Sequence, residues 1–161
     1  NLCGVLVLLS DLHPERITFY NGFFSTLSEQ AIRTLESQAI DLLNRTAKTV
    51  LLDELLESTA LAALADEARK RKLLSCILDH SPLVAATLDH RYFTYDRGTQ
   101  TFLAEVLKDI ERPAHYRAVT NAFNDRLAPR SRKGAGFILE ALNAAPLCTR
   151  VDRGIYDLKA G

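Results

Sequence analysis

Two groups of basic side chains in this chain can do chemistry of one kind, charge-assisted hydrogen bonding to phosphate. Arg69-Lys70-Arg71-Lys72 form the first, and Arg130, Ser131, Arg132 and Lys133 form the second. His90 with Arg91, and Arg150 with Arg153, fall in Asp- or Gly-bearing stretches that read as hairpin turns. Four consecutive cations point to all sides of a helix, so Arg69 to Lys72 also read as a solvated face of which only a part can meet one ligand. Nothing comparable marks a catalytic or metal centre. His13, His80, His90 and His115 share no face with a cysteine or carboxylate at ligand spacing, and Cys3, Cys76 and Cys148 are far apart with no C-x-x-C. There is no Gly-rich phosphate loop, no H-E-x-x-H, and no carboxylate pair placed for acid and base roles. The expectation is a segment without catalytic residues, metal, cofactor or small-molecule substrate.

The net charge is zero, but it is segregated. Residues 1–68 hold 4 Lys/Arg against 10 Asp/Glu, whereas residues 69–161 hold 16 against 10, so the two parts suit different partners. The longest apolar run, Cys3 to Leu9, falls far short of the roughly 20 residues of a membrane span, and no basic segment precedes it. No membrane partner is expected. The cysteine usage suits a reducing, intracellular setting, cytoplasmic or nucleoid/nuclear. The chain opens on Asn and contains no Met, as expected of a piece of a longer protein.

The elements that must position the basic groups emerge from a repeat. Shifting the sequence by 64 residues lays Leu42-Leu43 on Val106-Leu107, Leu52 on Tyr116, Leu55 on Val119, Leu74 on Ile138, Leu78 on Leu142 and Pro82-Leu83 on Pro146-Leu147. With one residue then deleted, Leu88-Asp89-His90 meets Val151-Asp152-Arg153, and Tyr92-Phe93 meets Ile155-Tyr156. Apolar positions fall on apolar positions, as duplicated supersecondary units require. A third tail opens the chain: Pro14, Phe19, Gly22, Phe23 and Phe24 keep the spacing of Pro146, Val151, Gly154, Ile155 and Tyr156.

In the C-terminal copy, Phe102, Val106, Leu107 and Ile110 predict an amphipathic helix that Pro113 stops. Ala114 to Tyr116 reads as a short extended stretch. Ala118, Val119, Ala122 and Phe123 mark a second helix, and Phe137, Ile138, Ala141 and Leu142 a third, with Ser131 as its N-cap. Gly134 and Gly136 fall inside this helix and suggest a close backbone approach or a frayed start. Leu147 to Arg150 and Ile155 to Leu158 predict a hairpin. The first copy follows with Glu29 to Arg45, Thr49 to Leu51, Asp53 to Thr59, Ala68 to His80 and Val84 to Tyr95. Helix, short strand, helix, helix, hairpin is the order of a winged helix-turn-helix. The expected architecture is therefore mainly α with small β-hairpins, an α+β chain of tandem modules at 28–97 and 98–161, with residues 1–27 as the tail of a truncated one.

From Pro113-Ala114-His115-Tyr116-Arg117-Ala118-Val119, through Ala135 to Leu142, to Thr149-Arg150-Val151-Asp152-Arg153-Gly154-Ile155-Tyr156-Asp157-Leu158, residues 100–159 resemble HARE-type winged helices. The copy at 28–97 departs from that pattern, with Arg91 at the expected Gly and Thr49 at the expected Pro. The resemblance implies a DNA-associated module of the kind appended to transcription, chromatin or restriction proteins. A third helix in the major groove, flanked by basic residues on phosphates, would place double-stranded DNA against Arg69, Lys70 and Lys72, against Arg130, Ser131, Arg132 and Lys133, and against Arg91, Arg150 and Arg153 in the wings. The alternative expectation is a protein-interaction scaffold that docks other domains or subunits, which the acidic N-terminal part favours.

Overall fold

The computed structural model describes residues 17–63 and 65–159; Cys3, His13 and Pro14 lie outside the described residues. They form two compact units, one of residues up to 42 together with 52–82, the other of 43–51 together with residues from 83 onward. No helix among them is long and apolar enough to cross a membrane.

The first unit opens with antiparallel strands β1 (Thr18–Tyr20) and β2 (Phe23–Ser25). Their two-residue turn, Asn21-Gly22, has positive φ at both positions, the mirror-image geometry that suits the twist of a hairpin. Helix α1 (Glu29–Thr46) buries Ile32, Leu35 and Ala39 at helical spacing. The hairpin is tied down by Tyr20, whose hydroxyl donates to Glu36 Oε2 at 2.6 Å, and by Phe23, whose ring lies 5.2 Å from that of His80. Helix α2 (Leu52–Glu57), a 3-10 turn (Ala60–Ala63) and helix α3 (Glu67–His80) complete the unit. Helix α3 is N-capped by Asp66, whose carboxylate accepts the Arg69 main-chain N–H at 3.0 Å.

The second unit holds two three-stranded antiparallel sheets. Strands β3 (Val50–Leu51), β4 (Val84–Ala86) and β5 (Arg91–Thr94) pair in the order β3-β5-β4. After helix α4 (Thr99–Asp109), strand β6 (Ala114–His115), helix α5 (Tyr116–Asp125), a 3-10 turn (Pro129–Ser131) and helix α6 (Ala135–Ala144), strands β7 (Cys148–Asp152) and β8 (Ile155–Leu158) join β6 in the order β6-β8-β7. The expected element order thus occurs in both copies.

The pairing corrects the sequence alignment. Val50 faces Tyr92 where Ala114 faces Tyr156, and Ala86 faces Tyr92 where Arg150 faces Tyr156, so the shift of 64 holds through the hairpins without a deletion. Gly154 (φ +73°) therefore corresponds to His90 rather than Arg91, and His90 adopts the same left-handed backbone (φ +59°) with a Cβ. We expect His90→Gly to raise stability by about 0.5–1 kcal/mol, the left-handed penalty less the chain entropy of glycine, readable as a Tm increase in thermal unfolding.

The compact units also cut across the repeat. Ala85 and Phe93 of the first-copy hairpin are fully buried in one core with Phe102, Leu103, Val106, Leu107, Val119, Phe123, Ile138 and Tyr156 of the second copy. The extended stretch Arg126 to Ala128 runs along the outer edge of β4: Leu88 N–H donates to the Arg126 carbonyl and Ala128 N–H to the Ala86 carbonyl, each at 2.9 Å. The hairpin of the first copy thus packs as a structural part of the unit that follows it.

Candidate nucleic-acid interface

In the first unit, α3 carries the leading basic group. Lys70 pairs with Glu67 at 2.6 Å and is mostly buried, and Arg71 pairs with Asp53. Arg69 and Lys72 are exposed and form no ion pair among the described residues. Arg71 is exposed as well but is paired with a carboxylate, so Arg69 and Lys72 are the exposed cations of the group that have no ion pair among the described residues.

In the second unit, Arg91 is equally committed. Its Nε donates to Asp89 Oδ2 at 2.8 Å and its Nη1 to Thr49 Oγ1 at 3.1 Å. Burial alone would raise the Asp89 carboxyl, but the Thr87 hydroxyl and the Arg91 guanidinium outweigh it and hold the group below its ordinary value. Asp89 is thus charged at neutral pH and partners the one cation expected in this turn.

Ser131 does not fit its expected role at the interface. It has no exposed surface; its Oγ accepts the Ala86 N–H at 2.9 Å and its carbonyl accepts the Tyr95 hydroxyl at 3.0 Å. Nor is it the N-cap of α6, since it closes the 3-10 turn ahead of that helix and Gly134, with no side-chain cap, holds the N-cap position. Lys133 is also drawn inward: its Nζ lies 3.7 Å from the Tyr95 ring centre, and Asn124 clamps its main-chain N–H and carbonyl at 2.9 and 2.8 Å. Burial raises the Tyr95 phenol, which keeps it a hydrogen-bond donor.

Arg130 and Arg132 stay exposed on either side of Ser131, and Arg150 and Arg153 are exposed in the β7–β8 hairpin. Around Gly134 and Gly136 there is open space, which removes the expected close backbone approach; Gly134 precedes the helix rather than lying within it. The hairpin turn leans on the start of α5. Tyr116 N–H donates to the Gly154 carbonyl at 2.8 Å, and a Cβ at Gly154 would stand 3.1 Å from His115 Nε2. Gly154 is needed for this close approach as well as for its left-handed φ. His115 and Arg117, exposed beside this turn, carry no signal in the sequence because neither belongs to a basic run.

No protein-family model, characterised protein or solved structure matches this chain.

The remaining chemistry-bearing side chains have structural surroundings. Burial pushes the thiols of Cys76 and Cys148 up, with the Asp79 carboxylate adding to the effect at Cys76, so both are held as neutral thiols. His80 Nδ1 lies 2.8 Å from the Cys76 carbonyl. No cluster of three metal-ligating side chains occurs among the described residues.

The two hairpins differ on the face that decides their use. Ala85, Phe93 and Tyr95 give the first an apolar face that is covered by protein. At the corresponding positions of the second stand Thr149, Asp157 and Lys159, and the outer edge of β7 has no strand partner among the described residues. Polar side chains at these positions cannot enter an apolar core as Ala85 and Phe93 do.

Proposed function

We propose that the chain is a tandem winged helix-turn-helix segment, HARE-like in its C-terminal copy, and that this copy binds duplex DNA through Arg130 and Arg132 ahead of α6 and through Arg150 and Arg153 in its wing. The observation that carries this reading is the contrast between the hairpins. The first is consumed in packing and its Arg91 is paired with Asp89, whereas the second has polar residues at the corresponding positions and carries two exposed arginines, Arg150 and Arg153, beside α6. Binding through phosphates needs exposed cations, and in the second copy these flank both α6 and the wing.

Helix α6 bears on how the DNA would be read. Its start, Gly134-Ala135-Gly136, offers no side-chain donor or acceptor to base edges, and Glu140 is the first polar side chain along it. This supports contact with the sugar-phosphate backbone, without sequence preference. The segment has no catalytic role in this reading, and any reaction belongs to other parts of a larger protein.

A protein-scaffold role is favoured for the first copy by its ion pairs, Lys70 with Glu67 and Arg71 with Asp53, which partner half of its basic run with carboxylates.

Fluorescence anisotropy with two duplexes of unrelated sequence, at low and moderate salt, tests the reading. Salt-sensitive binding within a few-fold for both duplexes is expected. Arg132→Ala/Arg153→Ala should lower the slope of log affinity against log salt by about 2, roughly 0.9 for each phosphate no longer neutralised. Arg69→Ala/Lys72→Ala should leave it unchanged. Absence of binding at low salt would remove the DNA reading and leave the scaffold in its place.

A further inference from the structure

Two positions invert their charge between the copies. At the uniform shift of 64, Asp53 corresponds to Arg117 and Asp89 to Arg153. In the first copy both are carboxylates, each holding an arginine: Asp53 pairs with Arg71, and Asp89 with Arg91. In the second copy both are arginines, and the positions of Arg71 and Arg91 are taken by Ala135 and Ile155. Charge is therefore reversed rather than simply removed, at one position in the second helix's first turn and one in the hairpin turn.

In the second copy the hairpin turn and the start of α5 meet, with the Tyr116 N–H donating to the Gly154 carbonyl at 2.8 Å. Arg117 lies with its guanidinium 6.0 Å from the Tyr116 ring centre, and its Nε donates to the Tyr116 hydroxyl at 3.4 Å. His115 caps α5: its Nδ1 accepts the Arg117 main-chain N–H at 3.3 Å, so the neutral ring carries its proton on Nε2, the atom beside Gly154. No acidic residue occurs from Arg112 to Asn124, and the first turn of α5 has none. Placing a cation there opposes the helix dipole, which favours negative charge at a helix start, so Arg117 does not serve the helix. Asp152 is the opposing carboxylate in the turn; its Oδ1 is engaged by the Arg153 main-chain N–H at 2.6 Å, and the Arg153 guanidinium forms no ion pair with it.

We propose that Arg117, the Nε2–H of His115 and Arg153 form a binding site for a backbone phosphate of duplex DNA at the root of the wing. The site rests on the DNA-binding reading of the second copy and extends its contact surface beyond α6 and the wing, to the start of α5.

The test uses Arg117→Asp, which installs the first-copy residue. An acid at that position suits the helix dipole, so its thermal unfolding midpoint should not fall below the wild type, while a phosphate contact becomes a repulsion. By anisotropy with duplex DNA we expect about a tenfold loss of affinity and a salt slope smaller by about 1. His115→Asn keeps a capping side chain and removes the Nε2–H; it should weaken binding with no loss of helix. Wild-type affinity and slope in Arg117→Asp, with the wild type still binding, would overturn this site and spare the DNA reading. Failure of the wild type to bind would overturn both. Displacement of the duplex by inorganic phosphate at matched ionic strength, where chloride has no effect, would assign the site to free phosphate and overturn the backbone assignment.

Discussion

Phe93→Ala is expected to destabilise the second unit by about 3–5 kcal/mol, the range for removing a fully buried phenyl ring from a core. Phe93 belongs to the first copy by sequence, but its ring centre lies 4.8 Å from that of Phe102 and 6.3 Å from that of Phe123, both in the second. The backbone also approaches closely on the other side, where a Cβ at Gly98 would stand 2.7 Å from Phe93 Cβ. The loss should appear in urea unfolding and as weaker hydrogen-exchange protection of α4, α5 and α6. A destabilisation under about 1 kcal/mol, or unaltered protection of those helices, would mean that the second copy holds its core without the hairpin.

That dependence explains what the sequence can and cannot tell. The helices are legible because their apolar residues recur at helical spacing, and β8 falls at its expected bounds, Ile155–Leu158. Hairpin register is harder. Leu88-Asp89-His90 resembles Val151-Asp152-Arg153 closely enough to suggest a deleted residue, yet the chain keeps the longer register because pairing is set by the strands. The left-handed backbone at His90 then stands one residue before the position where a glycine is expected. Which hairpin leaves its face open and which is core cannot be read locally either. Phe93 and Asp157 are both strand residues; only the tertiary partners of Phe93 show that its face is covered. The site is legible in part for the same reason: runs of cations are visible in a sequence, whereas the carboxylates that neutralise Lys70, Arg71 and Arg91 are known only from the fold.

Ser131 shows how far such a misreading can reach, and its substitution has the second-largest expected effect. A serine ahead of a helix, among three cations, has the appearance of an N-cap that also touches phosphate. Its hydroxyl instead meets the Ala86 N–H on an edge strand 45 residues away. Ser131→Ala strips that acceptor from a buried donor, which should cost about 1–3 kcal/mol in urea unfolding, the range for a buried N–H left without its partner. The same substitution should leave the salt slope of duplex binding at its wild-type value, while Arg132→Ala, one residue on, lowers the slope by about 0.9 with little effect on stability. The two neighbours thus separate folding from binding. A Ser131→Ala protein with wild-type stability and weakened DNA affinity would return the hydroxyl to the interface. It would also mean that the pairing of the first-copy hairpin with the turn before α6 opens when DNA binds, since the Ala86 N–H cannot hold the hydroxyl and leave it free for phosphate at once.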